Sequence, residues 1–134
     1  MNSYKIETHR REELIDITPL VQKAVNESNI DSGIVYCFVP HTTAGITINE
    51  NADPDVKRDI IYKLNKEIPQ NDDYFHAEGN SDAHLKASLF GFSLSVLIEN
   101  KNLILGQWQA VYFCEFDGPR QRKIIIKVQS FDKN

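Results

Sequence analysis

Four strand-like runs crowd the last third of the chain: Phe92 to Ile98, Leu103 to Leu105, Gln107 to Phe116 and Arg122 to Gln129. Glu99-Asn100-Lys101-Asn102 and Asp117-Gly118-Pro119-Arg120 separate them, and both stretches have turn composition. So much extended backbone in so little sequence commits the chain to a mainly antiparallel sheet, read here as a C-terminal β-meander. Upstream, Tyr4 to His9 alternates as a strand and Leu14 to Ile17 is a short second one. Thr18-Pro19 reads as N-cap and first helical residue of a helix that ends before Gly33. The unbroken apolar run Ile34 to Val39 predicts a central strand covered on both faces. Asp53-Pro54 repeats the cap-and-proline device before a core-facing helix with Val56, Ile60, Ile61 and Leu64 in one stripe. Glu67 to Tyr74 is loop. Ser81 or Asp82 opens a short helix that Gly91 stops. The expected fold is a single α+β domain over residues 1–134, with two longer helices and one short helix on one face of the sheet.

The run from His41 to Glu50, HTTAGITINE, departs from an ordinary core strand. In extended backbone His41, Thr43, Thr47 and Asn49 share one side, and Ala44, Ile46 and Ile48 the other. The apolar side is a core face; the polar side is a candidate site, reached by Glu50 only if the chain turns there. Plain β-propensity of the threonines is the alternative explanation.

Two further segments carry chemistry. His76 to Lys86 places His76, Glu78, Gly79, Asn80, His84 and Lys86 around the start of the short helix, where free N–H groups attract anions. The competing reading has Asp82 capping the helix and the histidines on the surface. From Gly106 to Arg122, Gln109 and Glu115 share a strand face and so could border one pocket. Trp108 faces the other side, as a core residue in the first instance. Arg120 and Arg122 suit a phosphate or carboxylate partner, unless Glu115 and an arginine form a structural ion pair across the hairpin. His41, His76 and His84 could together ligate zinc. Glu50 or Glu78 could act in acid–base catalysis or hold magnesium. His9, beside Arg10 and Arg11, is expected to be solvated.

With 134 residues and a net charge of −4, the chain has no basic stripe to support nucleic-acid binding. It has no apolar stretch of the ~20 residues a membrane span needs and no secretory leader pattern, so a cytoplasmic location is expected. Cys37 and Cys114 lie in apolar runs without metal-ligand spacing and read as reduced core thiols.

Three ordered strings, HTTAGITINENADPDV, HAEGNSDAHLKASLFG and LGQWQAVYFCEFDGPRQRK, resemble the YjbQ-like family, also called the secondary thiamine-phosphate synthase family. The resemblance covers nearly the whole chain, with Gln107 standing where many relatives carry threonine. It implies a compact α+β domain, assembly as a homotrimer and a motif-lined pocket. It also implies transfer of a pyrimidine diphosphate unit to a thiazole phosphate with loss of pyrophosphate. The matching site residues are His41, Asn49, Glu50, His76, Glu78, Gly79, His84, Trp108, Gln109, Glu115 and Arg122. Thr43, Asn80, Lys86 and Arg120 join them as candidate substrate-binding groups for a small phosphorylated metabolite. A metal-dependent hydrolase built on the three histidines and a non-catalytic metabolite-binding trimer are the alternatives. Covering the long run of strands between identical subunits would protect otherwise exposed edges.

Overall fold

The computed structural model describes residues 2–132. Eight strands and three helices follow one another as β1 (Asn2–Glu7), β2 (Glu13–Asp16), α1 (Thr18–Ser28), β3 (Gly33–Phe38), β4 (Ala44–Glu50), α2 (Pro54–Glu67), α3 (Ser81–Phe90), β5 (Ser93–Glu99), β6 (Asn102–Leu103), β7 (Gln109–Glu115) and β8 (Gln121–Ser130). All strand pairs are antiparallel and fall into two sheets, β1-β8-β3-β5-β6 and β2-β7-β4. The α+β class is as expected.

The expected meander is confined to the β5–β6 hairpin. After it the chain crosses to the three-stranded sheet for β7 and returns for β8, which inserts between β1 and β3. The alternation inside β7 explains the crossing. Val111 and Phe113 enter a core shared with the five-stranded sheet and α1, while Ala110, Tyr112 and Cys114 enter a second core with α3 and the flank of α2. A strand apolar on both faces belongs at the centre of the molecule. The helices therefore do not share one face: α1 contributes to the first core, α2 and α3 to the second.

Several local expectations shift for identifiable reasons. Thr18 is the first residue of α1 rather than its cap, because its Oγ1 accepts the Val111 N–H at 2.9 Å and Asp16 Oδ1 takes the Thr18 N–H. Asp53 caps α2 as expected, accepting from the Asp55 N–H at 2.9 Å. That helix, however, has no buried residue; Ile60, Ile61 and Leu64 only half-bury against the second core. In β3, Val35 and Cys37 point inward, but Tyr36 and Phe38 are 44% and 47% exposed. Among the described residues no element packs on that outer side, so β3 is not covered on both faces. Trp108 is also exposed, at 56%, rather than core. Cys37 and Cys114 are free, buried in different cores, with burial pushing the Cys37 thiol up to about 12 and Cys114 upward as well.

Burial sets the energetic ranking. Phe113→Ala is expected to cost about 3–5 kcal/mol in urea unfolding, and Ile61→Ala on the half-buried face of α2 less than about 2 kcal/mol. Comparable losses would show α2 to be part of the core.

Candidate functional site

One end of the two-sheet sandwich is closed by a buried ionic network. Glu115 ends β7, and Arg122 lies near the start of β8 in the other sheet; they are 0% and 2% exposed. Arg122 Nε donates to Glu115 Oε2 at 2.8 Å and Nη2 donates to Oε1. Nη2 also donates to Thr43 Oγ1 at 2.9 Å and to its carbonyl at 3.2 Å. Thr8, just past β1, donates from Oγ1 to Glu115 Oε2 at 2.9 Å, and the Asp117 N–H donates to Oε1. The expectation of a structural ion pair is thus met, but it bridges two sheets rather than a hairpin. Gly118 makes the closure possible, since a Cβ there would lie 2.3 Å from the Arg10 carbonyl oxygen and 2.8 Å from both Glu115 Cγ and Thr8 Oγ1.

Burial alone would push the Glu115 carboxyl up; the Arg122 guanidinium, the Asp117 N–H and the Thr8 hydroxyl outweigh it and hold the group below its ordinary value. His41 lies in the loop before β4 and accepts the Lys123 N–H through Nε2 at 2.9 Å. Burial and the neighbouring Arg122 charge lower its pKa. Below the ordinary value of about 6.5, the ring is neutral at pH 7, and with Nε2 accepting, its proton sits on Nδ1.

Two pockets adjoin this network. One of about 550 Å³ is lined by Phe38, Val39, Pro40, Phe92, His41, Thr42, Thr43, Arg120 and Arg122. The other, of about 440 Å³, shares Pro40, His41 and Arg122 and adds Ser3, Lys5, Gln121, Lys123 and Ile125. Among the described residues Arg122 Nη1 has no hydrogen-bond partner, which leaves it free for a ligand. Arg120 is half-exposed and paired with Asp117 at 3.0 Å.

The remaining predicted residues divide between two other places. Asn49, Glu50, Trp108 and Gln109 lie at the opposite end of β4 and β7, where Glu50 pairs with Gln109 while Ala44 pairs with Glu115. Six strand steps separate the ends, about 20 Å. Gln109 and Glu115 therefore share a face but not a pocket, and Val111 and Phe113 fill the space between. At that far end Tyr112 Oη donates to the Glu50 carbonyl at 3.0 Å and to Asn51 Oδ1 at 2.9 Å, and the Gln109 side chain accepts the Gly106 N–H.

The His76 segment lies near the network without lining its pockets. His76 Nδ1 is 2.9 Å from Ser81 Oγ, its Nε2 is 3.6 Å from the exposed Glu78, and the His84 ring meets it edge-on at 5.2 Å. Gly79 is exposed, with φ +85°. Among the described residues no group of three His, Cys, Asp or Glu side chains gathers at metal-binding distances, so the three histidines do not form one site within a single chain. Asn80 Nδ2 donates to Asp117 Oδ2 at 2.8 Å, tying α3 to the β7–β8 turn; its Oδ1 is buried without a partner among the described residues. Asp82 does not cap α3. It is buried between Arg11 (2.9 and 3.1 Å) and Lys86 (2.8 Å). Burial would raise its pKa, and those two cations outweigh burial and lower it. Lys86 is itself fully buried, with Glu12, Asn65 and Asp82 as acceptors of its ammonium group.

Sequence reading missed Thr8, Arg11, Glu12 and Asp117 as network members, and Phe38, Phe92, Lys5 and Lys123 as pocket walls. Their partners lie up to 112 residues away, and no local spacing marks them. Only the charge density of Arg10-Arg11-Glu12-Glu13 was a signal.

The Glu115 network makes stability pH-dependent with a defined sign. A carboxyl whose folded pKa is depressed contributes stability above its unfolded value, about 4.3, and loses it as pH falls through the folded one. Glu115→Gln, which strands a buried guanidinium, is expected to cost about 3–5 kcal/mol at pH 7 and to flatten the loss of stability below about pH 4. Asp82 keeps some of that slope in the variant. Unfolding curves of both proteins from pH 3 to 7 measure this; an unchanged slope would remove Glu115 from the account.

Comparison with known proteins places the whole chain. The family model described as "UPF0047 protein YjbQ-like" matches residues 2–131. A UPF0047 protein of Methanocaldococcus jannaschii is 54% identical over 93% of this chain and 91% of its own. YugU of Bacillus subtilis, also a UPF0047 protein, is 50% identical over 96% and 98%. The crystal structure of an uncharacterised YjbQ/UPF0047 protein from Clostridium acetobutylicum superposes with a TM-score of 0.94 at 56% identity, covering 96% of this chain and all of that one. A Sulfolobus solfataricus relative, described as of unknown function, superposes at 0.91 with 32% identity, over 96% and 95%.

Proposed function

The chain belongs to the YjbQ-like UPF0047 family, and from that premise and the Arg122 pocket we propose that it is a transferase acting on a small phosphorylated heteroaromatic metabolite. The candidate reaction joins a pyrimidine diphosphate to a thiazole phosphate, forming a thiamine phosphate and releasing pyrophosphate. One observation carries the reading: a single pocket sets Phe38, Phe92, Val39 and Pro40 against His41, Thr42, Thr43, Arg120 and Arg122. A flat ring fits the first set, and an anionic substituent suits the guanidinium and hydroxyl groups of the second.

In that reaction a ring nitrogen of the thiazole attacks the carbon bearing the diphosphate. The carbon–oxygen bond breaks, and its electron pair leaves on pyrophosphate. Donors fixed in advance stabilise the growing charge because they need not reorganise during the step. Arg122 fits this role, held in place by Glu115 and Thr43 with Nη1 unengaged among the described residues. Neutral His41 offers its Nδ1–H from the same wall. Glu115 and Thr43 act here as positioning residues. Assembly as a homotrimer belongs to the same proposal, supported by Tyr36 and Leu97 exposed on one side of the five-stranded sheet.

Incubating purified protein with both substrates and detecting thiamine phosphate by mass spectrometry tests the activity. Phe38→Ala, at a half-exposed position, is expected to lower kcat/KM about tenfold, about 1.4 kcal/mol of transition-state stabilisation, with the melting midpoint unchanged. Ligand binding without turnover would instead make the chain a metabolite-binding module. Light scattering is expected to give three times the 15.4 kDa chain mass; a monomer would remove the trimer.

A further inference from the structure

The two pockets that share His41 and Arg122 differ in electrical character. Around the Phe38 pocket both guanidinium groups are neutralised locally, Arg122 by Glu115 and Arg120 by Asp117, and His41 is held neutral. The second pocket has an uncompensated pair. Lys5 on β1 and Lys123 on β8 are direct cross-strand partners, both exposed, and they line that pocket together. Directly opposed residues of an antiparallel pair bring their Cβ atoms to about 4.5–5.5 Å, and like charges there destabilise the sheet. Among the described residues neither ammonium group has a salt bridge. Glu7, on the same face of β1, has its Oε1 hydrogen-bonded by Gln121 Nε2 at 3.2 Å. A chain with net charge −4 thus places two adjacent lysines beside a buried arginine whose Nη1 has no partner among the described residues.

We propose that this second pocket is an anion subsite for a diphosphate group, held between Lys5, Lys123 and Arg122 Nη1, while the ring of the same ligand occupies the Phe38 pocket across the His41–Pro40 ridge. The inference rests on the proposed function for its aromatic half and on the lysine pair for its anionic half. It divides the site by charge: the compensated pocket takes the flat ring with at most a single phosphate substituent, and the uncompensated pocket takes the multiply charged diphosphate. A second anionic group bridging both ammonium ions explains why like charges sit opposite one another on an exposed sheet face. Free pyrophosphate and an organic diphosphate share the chemistry of the subsite and differ in whether they also fill the aromatic pocket.

Calorimetric titration with three probes, inorganic pyrophosphate, phenyl phosphate and benzyl diphosphate, separates the halves. For Lys5→Gln/Lys123→Gln, pyrophosphate and benzyl diphosphate are each expected to bind at least tenfold more weakly, with phenyl phosphate unchanged within twofold. Both positions are exposed, so the ligand-free melting midpoint of the variant is expected to be no lower than that of the wild type. In the wild type benzyl diphosphate should displace both other probes. Pyrophosphate affinity unaffected by the double substitution, or absent from the wild type, overturns the subsite. If phenyl phosphate fails to bind while pyrophosphate binding depends on the lysines, the subsite stands and the aromatic reading of the Phe38 pocket falls.

Discussion

The Glu115–Arg122 pair is the constraint on which this end of the molecule depends. It is a buried ionic joint between the strands of one sheet and those of the other; Thr8 and the Asp117 N–H bond the Glu115 carboxylate and Thr43 accepts from Arg122 Nη2, which leaves only Nη1 without a partner among the described residues. A buried ion pair is a weak contributor to stability compared with apolar packing of the same volume. Its consequence here is positional. By closing the end of the sandwich with a charged group, the chain obtains a guanidinium whose direction is fixed by four hydrogen bonds to Glu115 and Thr43, on a residue that lines two pockets. Gly118 has the same logic, since any side chain there would push the β1–β2 connection off Glu115.

A second network, centred on the buried Asp82 and Lys86 and reached by Arg11, Glu12 and Asn65, connects the β1–β2 turn to α3 and to α2. The two networks meet through the turns that bear them, as the Gly118 N–H donates to the Arg11 carbonyl at 2.9 Å. Lys86 is a cation inside the scaffold rather than at its surface, so an anion-binding role for the α3 segment has to rest on other groups. Gly45 completes the attachment of α3: a Cβ there would lie 2.8 Å from the Gly91 carbonyl oxygen.

Much of this was legible in the sequence. Alternation located nearly every strand within a few residues and correctly put Gln109 and Glu115 on one face of β7, because a period of two is a local property. The Asp53-Pro54 start of α2 was legible for the same reason. What local pattern does not carry is which strand pairs with which. Hence the meander that became a crossing, and hence Gln109 and Glu115 assigned to one pocket when they terminate opposite ends of a strand. The motif residues were recognisable as a set; their division among the Arg122 end, the Glu50 end and the His76 segment was not. Thr18 and Asp82 show the same limit on a smaller scale, since tertiary partners, Val111 in one case and Arg11 and Lys86 in the other, took side chains that local rules assign to helix caps.

The central claim is that ligand binds where the Glu115–Arg122 joint closes the sandwich. Amide chemical-shift mapping with phenyl phosphate tests it most directly. The account expects perturbations at residues 38, 39, 41–43, 92 and 120–123, with residues 49–51 and 106–109 unmoved. Perturbations confined to the second group, with the first unaffected, would place the site at the other end of β4 and β7 and contradict the account.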